Sequence, residues 1–253
     1  MTNLDPDLIQ TIVVLGATSA IAKAFIRQCC NAQTKFVLVG RDEEALDAIK
    51  SDLIIRKARS IETIVADLAD CFRAKETVQA VMARCSRVDL LFISYGILGD
   101  NAEALKDNVL TQEIITSNFT SVACLLSEFT PIFEKQKTGS IAVITSVAGD
   151  RGRQSNYIYG SAKGGLALFL QGLRHYLSKY GVHVLTIKPG FVDTPMTSAF
   201  KKGLLWASPE KIARGIRHAL LKKKSSVYLP GFWKWIMIII KLVPESIFHK
   251  TKL

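Results

Sequence analysis

The feature that most constrains this chain is an alternation. Short β-branched runs, Thr11–Leu15, Phe36–Val39, Ile61–Val65, Val88–Ile93, Ile141–Thr145 and Val182–Ile187, are separated by amphipathic stretches near 19–31, 42–58, 71–86, 107–136, 155–180 and 208–222. Continuous apolar runs of this length suit strands buried on both faces, and strand–helix–strand spacing joins them in parallel through right-handed crossovers. The pattern predicts an α/β fold: a doubly wound, Rossmann-like parallel sheet of about seven strands, the last near Ser226–Leu229, with helices on both faces. One domain over 1–229 accommodates it, followed by an apolar, basic helical extension over 230–253.

In such sheets ligands bind beyond the carboxyl ends of the strands, so the residues after each strand carry the functional reading. After the first, Gly16-Ala17-Thr18-Ser19-Ala20-Ile21-Ala22 opens a helix, and a tight turn there aims backbone N–H groups and the helix dipole at a pyrophosphate. Ala20 and Ala22 stand where further glycines are usual. The second strand ends at Gly40-Arg41. It lacks the acid that would take the ribose hydroxyls of NAD, while a guanidinium there suits a 2′-phosphate, so NADP(H) is preferred over NAD(H). Asp67-Leu68 is placed to meet the adenine, and Ser94-Tyr95-Gly96 to face the cofactor backbone.

Tyr159 and Lys163 lie one helical turn apart on one face. That pair alone is common by chance. It gains weight from Ser146 at the end of the fifth strand, Asn118 in the long helix after the fourth, and Pro189-Gly190-Phe191-Val192-Asp193-Thr194 after the sixth. Taken together, in this order and spacing, these elements resemble the short-chain dehydrogenase/reductase family over essentially the whole chain. The resemblance implies that Asn118, Ser146, Tyr159 and Lys163 are catalytic, and that Pro189, Gly190, Val192 and Thr194 hold the nicotinamide amide. Reducing a ketone needs hydride on carbon and a proton on oxygen. Tyr159 would donate the proton, with Lys163 lowering a phenol pKa that is ordinarily about 10. Lys163 would also hold the nicotinamide ribose, Ser146 would orient the substrate oxygen, and Asn118 would position a water. Two departures from the family pattern, the thinned glycine loop and Ile93-Ser94-Tyr95-Gly96 after the fourth strand, bear on cofactor geometry more than on chemistry.

Composition narrows the setting. Five scattered cysteines, no Cys-x-x-Cys pair and no Cys/His cluster give no reason to expect a metal. Together with a polar Met1–Gln10, they fit a cytoplasmic protein. The net charge of +11 sits almost wholly in residues 201–253, which hold twelve Lys/Arg and two Glu. Nucleic acid would not explain the apolar run at 235–240, which is too short to span a bilayer. Trp233, Trp235 and the flanking Lys234 and Lys241 make an interfacial helix pattern, with Lys222-Lys223-Lys224 adding attraction to anionic lipid. The competing reading is a helix docked on the core or on a dimer partner.

A narrower resemblance follows from the Gly-Ala-Thr-Ser loop, from 95–100 and 146–151, and from the ending Val243-Pro244-Glu245-Ser246-Ile247-Phe248-His249-Lys250. These segments are similar to the decaprenylphosphoryl-2-keto-ribose reductases. That subgroup implies reduction of the 2-keto group of a polyprenyl-phosphate-linked sugar, the second half of a 2-epimerisation begun by a flavin-dependent oxidase. Arg151 and Arg153 would hold the sugar phosphate, and the tail would place the enzyme peripherally on the inner face of the cytoplasmic membrane. The alternatives are a reductase of another apolar or lipid ketone and a non-catalytic membrane-associated module on the same fold. The family resemblance further implies that the long helices at 107–136 and 155–180 pair between copies, in a homodimer or homotetramer.

Overall fold

The computed structural model describes residues 10–198 and 200–251. Residues 1–9, on which the reading of the amino terminus rested, and 252–253 of the extension lie outside them. Seven parallel strands form one sheet in the order β3-β2-β1-β4-β5-β6-β7. They are β1 Thr11–Leu15, β2 Lys35–Gly40, β3 Ser60–Val65, β4 Leu90–Ile93, β5 Ser140–Ile144, β6 His183–Pro189 and β7 Ser226–Leu229. The strand order reverses between β1 and β4, and crossovers leave the sheet in opposite directions there, which opens a crevice at its carboxyl edge.

The helices are α1 Ala20–Cys29, α2 Glu43–Ile55, α3 Ala74–Arg84, α4 Asn101–Ala104, α5 Asn108–Ile115, α6 Ser121–Gln136, α7 Tyr157–Ser178, α8 Pro209–Leu221, α9 Trp233–Leu242 and α10 Glu245–Phe248. Alternate strand residues feed two cores. Val13 and Leu15 join Leu125, Phe129 and Leu166 on one side of the sheet, while Ile12 and Val14 join Phe25, Ile212 and Ile216 on the other. Burial on both faces is why these strands read as unbroken apolar runs. Side-chain caps set the helix starts: Ser19 accepts from the Ala22 N–H at 3.1 Å and Asp42 from that of Ala45 at 2.9 Å.

Residues 108–136 are apolar and long enough, by composition, to cross a bilayer. Leu126, Phe129 and Phe133 are nevertheless fully buried in the core. This helical path is not regular. Between α5 and α6, residues Thr116–Thr120 form a π turn, and Asn118 lies within it.

The extension returns to the domain. Trp233 and Met237 on α9 are 2% and 0% exposed and pack with Val147 and Tyr228. The docked-helix reading therefore holds for one face of α9. The opposite face, Trp235, Ile239 and Leu242, stays exposed. The lysine cluster is placed differently from the sequence expectation. Lys222–Lys224 precede β7, and His183 Nε2, at the start of β6, donates to the Lys224 carbonyl at 2.8 Å. That is the amino edge of a parallel sheet, the edge away from α9, so these lysines cannot reinforce it.

Candidate active site

A cavity of about 500 Å³ runs along the carboxyl edge of the sheet at the strand-order reversal. Its floor begins at Gly16, whose φ of 83° is open to glycine; a Cβ there would stand 2.7 Å from Tyr95 Cβ and 2.9 Å from the Ser94 carbonyl. Thr18, Ser19, Ala20 and Ile21 continue the wall. Ala20 is already the first residue of α1 and Ala22 is within it. Helical backbone costs an alanine nothing, so the two missing glycines leave the turn intact. The hydroxyls of Ser19 and Ser94 are 2.8 Å apart and pin the head of α1 to the end of β4.

At one end, Arg41 lines the cavity and is exposed. The neighbouring Asp42 is occupied as the cap of α2. Asp67 and Leu68 line the same end. Tyr95 lines the cavity too, but its hydroxyl is held by Ser121 Oγ at 3.0 Å and lies 3.3 Å from the Leu68 carbonyl, so it ties the 67–68 turn to α6. At the other end stand Gly96, Asn118, Tyr159, Lys163, Pro189, Gly190, Val192 and Thr194.

Asn118 Nδ2 donates to the carbonyls of Ile97 (2.6 Å) and Ile114 (2.8 Å). The second bond occupies a carbonyl that a regular helix would use, which fits the π turn. Oδ1 is buried without a partner. It faces Gly96 so closely that a Cβ there would overlap it, and the same point lies 3.3 Å from Lys163 Nζ. Lys163, 3% exposed, donates to the Ile144 carbonyl at 3.3 Å. Burial lowers its pKa to about 8.

Tyr159 lies in the first turn of α7, and Ser146 caps the 3₁₀ turn Val147–Asp150 by accepting from the Ala148 N–H at 3.1 Å. Ser146 does not itself line the cavity; its hydroxyl reaches the Tyr159 phenol. Burial pushes that phenol up to about 12, with the Ser146 hydrogen bond pulling the other way. The expected lowering by Lys163 is not what this structure shows. Burial is the dominant cause, and Lys163 Nζ is turned toward the Ile144 carbonyl.

Three glycines that the sequence reading passed over set this geometry. A Cβ on Gly160 would lie 2.9 Å from the Ala148 carbonyl, one on Gly164 2.8 Å from that of Gly149, and one on Gly149 2.6 Å from Gly164 N. α7 therefore meets the 147–150 turn backbone to backbone, which brings Ser146 to Tyr159. The spacing Gly160, Gly164 on one helical face was the available signal.

Arg151 and Arg153, expected to hold a sugar phosphate, are engaged by the extension in this structure. Neither lines the cavity. One Nη of Arg151 donates to the carbonyls of Ile240 (2.7 Å), Lys241 (3.2 Å) and Val243 (2.6 Å), capping α9, and its guanidinium stacks 4.0 Å from the Phe248 ring. Arg153 reaches the Met237 sulfur at 3.4 Å. Both arginines hold the extension. Beneath them, Asp150 takes Lys188 Nζ and the Tyr228 hydroxyl, each at 2.5 Å.

The residues fit a nicotinamide dinucleotide. A positive-φ glycine and a helix start meet at one end of the cavity, with an unpartnered buried acceptor, a lysine and a phenol at the other. Bound there, that cofactor would supply hydride to a carbonyl carbon. Gly16 to Ile21 would hold the pyrophosphate, and Lys163 and 189–194 the nicotinamide side. Fold and site together define a nicotinamide-dependent oxidoreductase.

Residues 10–204 match the family model described as short chain dehydrogenase, and the chain belongs to that family. An uncharacterized oxidoreductase of Mycobacterium tuberculosis is 29% identical over 94% of this chain and 96% of its own. A 3-oxoacyl-[acyl-carrier-protein] reductase of Synechocystis is 27% identical over 88% of this chain and 93% of its own. The crystal structure of levodione reductase superposes with a TM-score of 0.78 at 22% identity, covering 89% of this chain and 98% of that one. That of an actinorhodin polyketide ketoreductase with NADPH gives 0.77 at 21%, covering 90% and 97%.

Proposed function

We propose that this oxidoreductase is a ketoreductase that uses NADPH and acts on a lipid-borne ketone: the 2-keto group of a sugar on a polyprenyl phosphate, left by a flavin-dependent oxidase. The observation that carries the reading is the placement of Tyr159, enclosed in the cavity wall and hydrogen-bonded to Ser146. A phenol is protonated at neutral pH, and one held at the nicotinamide end is placed to give its proton to a carbonyl oxygen. Ser146 shares that oxygen and orients it. A water held by Asn118 Oδ1, which is buried without a partner, and by Lys163 Nζ would return the proton from solvent. Arg41 at the cavity wall, with Gly40 rather than an acid at the end of β2, supports NADPH.

The lipid-borne substrate is supported by the subgroup resemblance and by the apolar surface that α9 leaves exposed. It would place the protein peripherally on the inner face of the cytoplasmic membrane. The Synechocystis relative supports a second reading, a ketone on an acyl carrier. Outward residues of α7, Leu168 and Tyr176, are 68% and 45% exposed and would serve a homodimer.

The test is NADPH oxidation by the purified chain, offered a polyprenyl-phosphate 2-keto pentose and a 3-oxoacyl thioester side by side. A kcat/KM at least about a hundredfold higher on the sugar lipid, a gap of roughly 3 kcal/mol, is expected. Preference for the thioester would replace the first reading with the second.

A further inference from the structure

We infer that the exposed side of α9, with residues 196–198 and 200–205 beside it, is a surface that docks on an anionic lipid bilayer, and that the active-site cavity opens beside that surface. The inference rests on the lipid-borne ketone for its purpose, but its geometry is independent of it.

The helix is apolar on two opposed faces. One, Trp233 and Met237, is buried against Val147. The other carries Trp235 (66% exposed), Ile239 (66%) and Leu242 (77%). Docking on the protein thus accounts for only half of the helix's apolar surface. Ile247 just beyond it is also exposed, and Lys234 and Lys241, seven residues apart, flank the exposed stripe on one side. A helix that only capped the core would carry polar residues outward.

A chain of rings ties the helix to the cavity mouth. Phe232 packs on Trp233, Trp233 meets Phe191 edge-on at 5.5 Å, and Phe191 stacks on Trp206 at 5.4 Å. This chain of rings joins α9 to the segment where Met196, Phe200 and Leu204 stand exposed, Leu204 entirely. Pro195, Met196 and Thr197 are themselves cavity wall. The exposed Phe232 and Phe191, packed on either side of the buried Trp233, thus link α9 to the mouth of the site.

Charge selects the occupant. Lys201, Lys234, Lys241 and Lys250 are exposed around this surface. The acids nearby are Asp193, which pairs with Lys202, and Glu245, 3.6 Å from His249. A second copy would set like charges against each other. A bilayer with anionic headgroups accepts the indole at its interface, the aliphatic side chains beneath and the lysines above.

The experiment is flotation of the full chain with phosphatidylcholine vesicles, with and without phosphatidylglycerol. The variants are Trp235→Glu with Ile239→Glu, and Leu242→Ser, all at exposed positions outside the reaction machinery. NADPH-dependent turnover of a water-soluble ketone is measured in parallel. Expected is binding that needs phosphatidylglycerol, weakens with salt, and falls about tenfold or more in the double variant while melting temperature and soluble turnover hold. Equal flotation of variant and wild type, or none with either vesicle, overturns the docking surface. So does concentration-dependent self-association that the double variant abolishes, which would make the surface an interface between copies. Loss of soluble turnover with vesicle binding intact would count against the ketoreductase reading alone.

Discussion

The indole of Trp233 occupies the space where a side chain on Gly190 would stand; a Cβ there would overlap Nε1 and Cε2 of the ring. A residue of the extension is thereby keyed into the segment that flanks the nicotinamide end of the cavity. Trp233→Ala should cost about 3–5 kcal/mol of stability, and Gly190→Ala about 1–3 kcal/mol by overpacking. The two should not add: with the indole gone, the Gly190→Ala cost should nearly vanish. Urea unfolding of both single variants and the double variant measures this, and additive losses would show that the contact carries no energy.

Tyr159→Phe keeps the ring and removes the proton donor. kcat should fall by roughly 10²–10⁴, while NADPH affinity, followed by fluorescence, changes little. Retained turnover would remove Tyr159 from the chemistry.

Lys163 gives a pH signature with a definite sign. Its folded pKa is about 8 against an ordinary 10.5. Below pH 8 the native state carries the full cost of a buried ammonium. Between 8 and 10.5 the native state releases a proton that the unfolded chain keeps, so stability rises with pH. The span corresponds to roughly 3 kcal/mol. Tyr159, raised from 10 to about 12, acts oppositely above pH 10, where the unfolded chain ionises first. Denaturation of wild type and Lys163→Met from pH 7 to 10 should show the wild type gaining on the variant as pH rises. Parallel curves would contradict the burial of charge at Lys163.

Arg41 stands exposed at the cavity wall. Arg41→Ala should weaken NADPH binding by about 1.5–3 kcal/mol, the worth of a charge-assisted hydrogen bond, and leave NADH binding nearly unchanged. Equal loss for both cofactors would deny Arg41 a role in choosing between them.

Gly164→Ala places a methyl 2.8 Å from the Gly149 carbonyl and should push α7 off the turn behind Ser146. A kcat loss larger than the change in KM is expected, since binding surfaces remain while Ser146 and Tyr159 separate. A variant with wild-type kcat would show that the helix yields elsewhere.

The sequence by itself determined the sheet, the order of its elements and the residues after each strand. These follow from local patterns: buried parallel strands read as apolar runs, caps mark helix starts, and the carboxyl edge is where ligands go. Thr11–Leu15 and Ser226–Leu229 were legible to the residue. What only the tertiary structure decided lies in contacts between distant segments. The π turn at Asn118 depends on carbonyls of Ile97 and Ile114 meeting one amide. The raised phenol depends on enclosure, which no local window contains. Arg151 looked like a phosphate ligand because its charge is visible in sequence, whereas the α9 carbonyls that claim it lie some ninety residues away. The extension looked like either a membrane helix or a docked one. Its two apolar faces make it both buried and exposed, because a helix can turn only one side to the core.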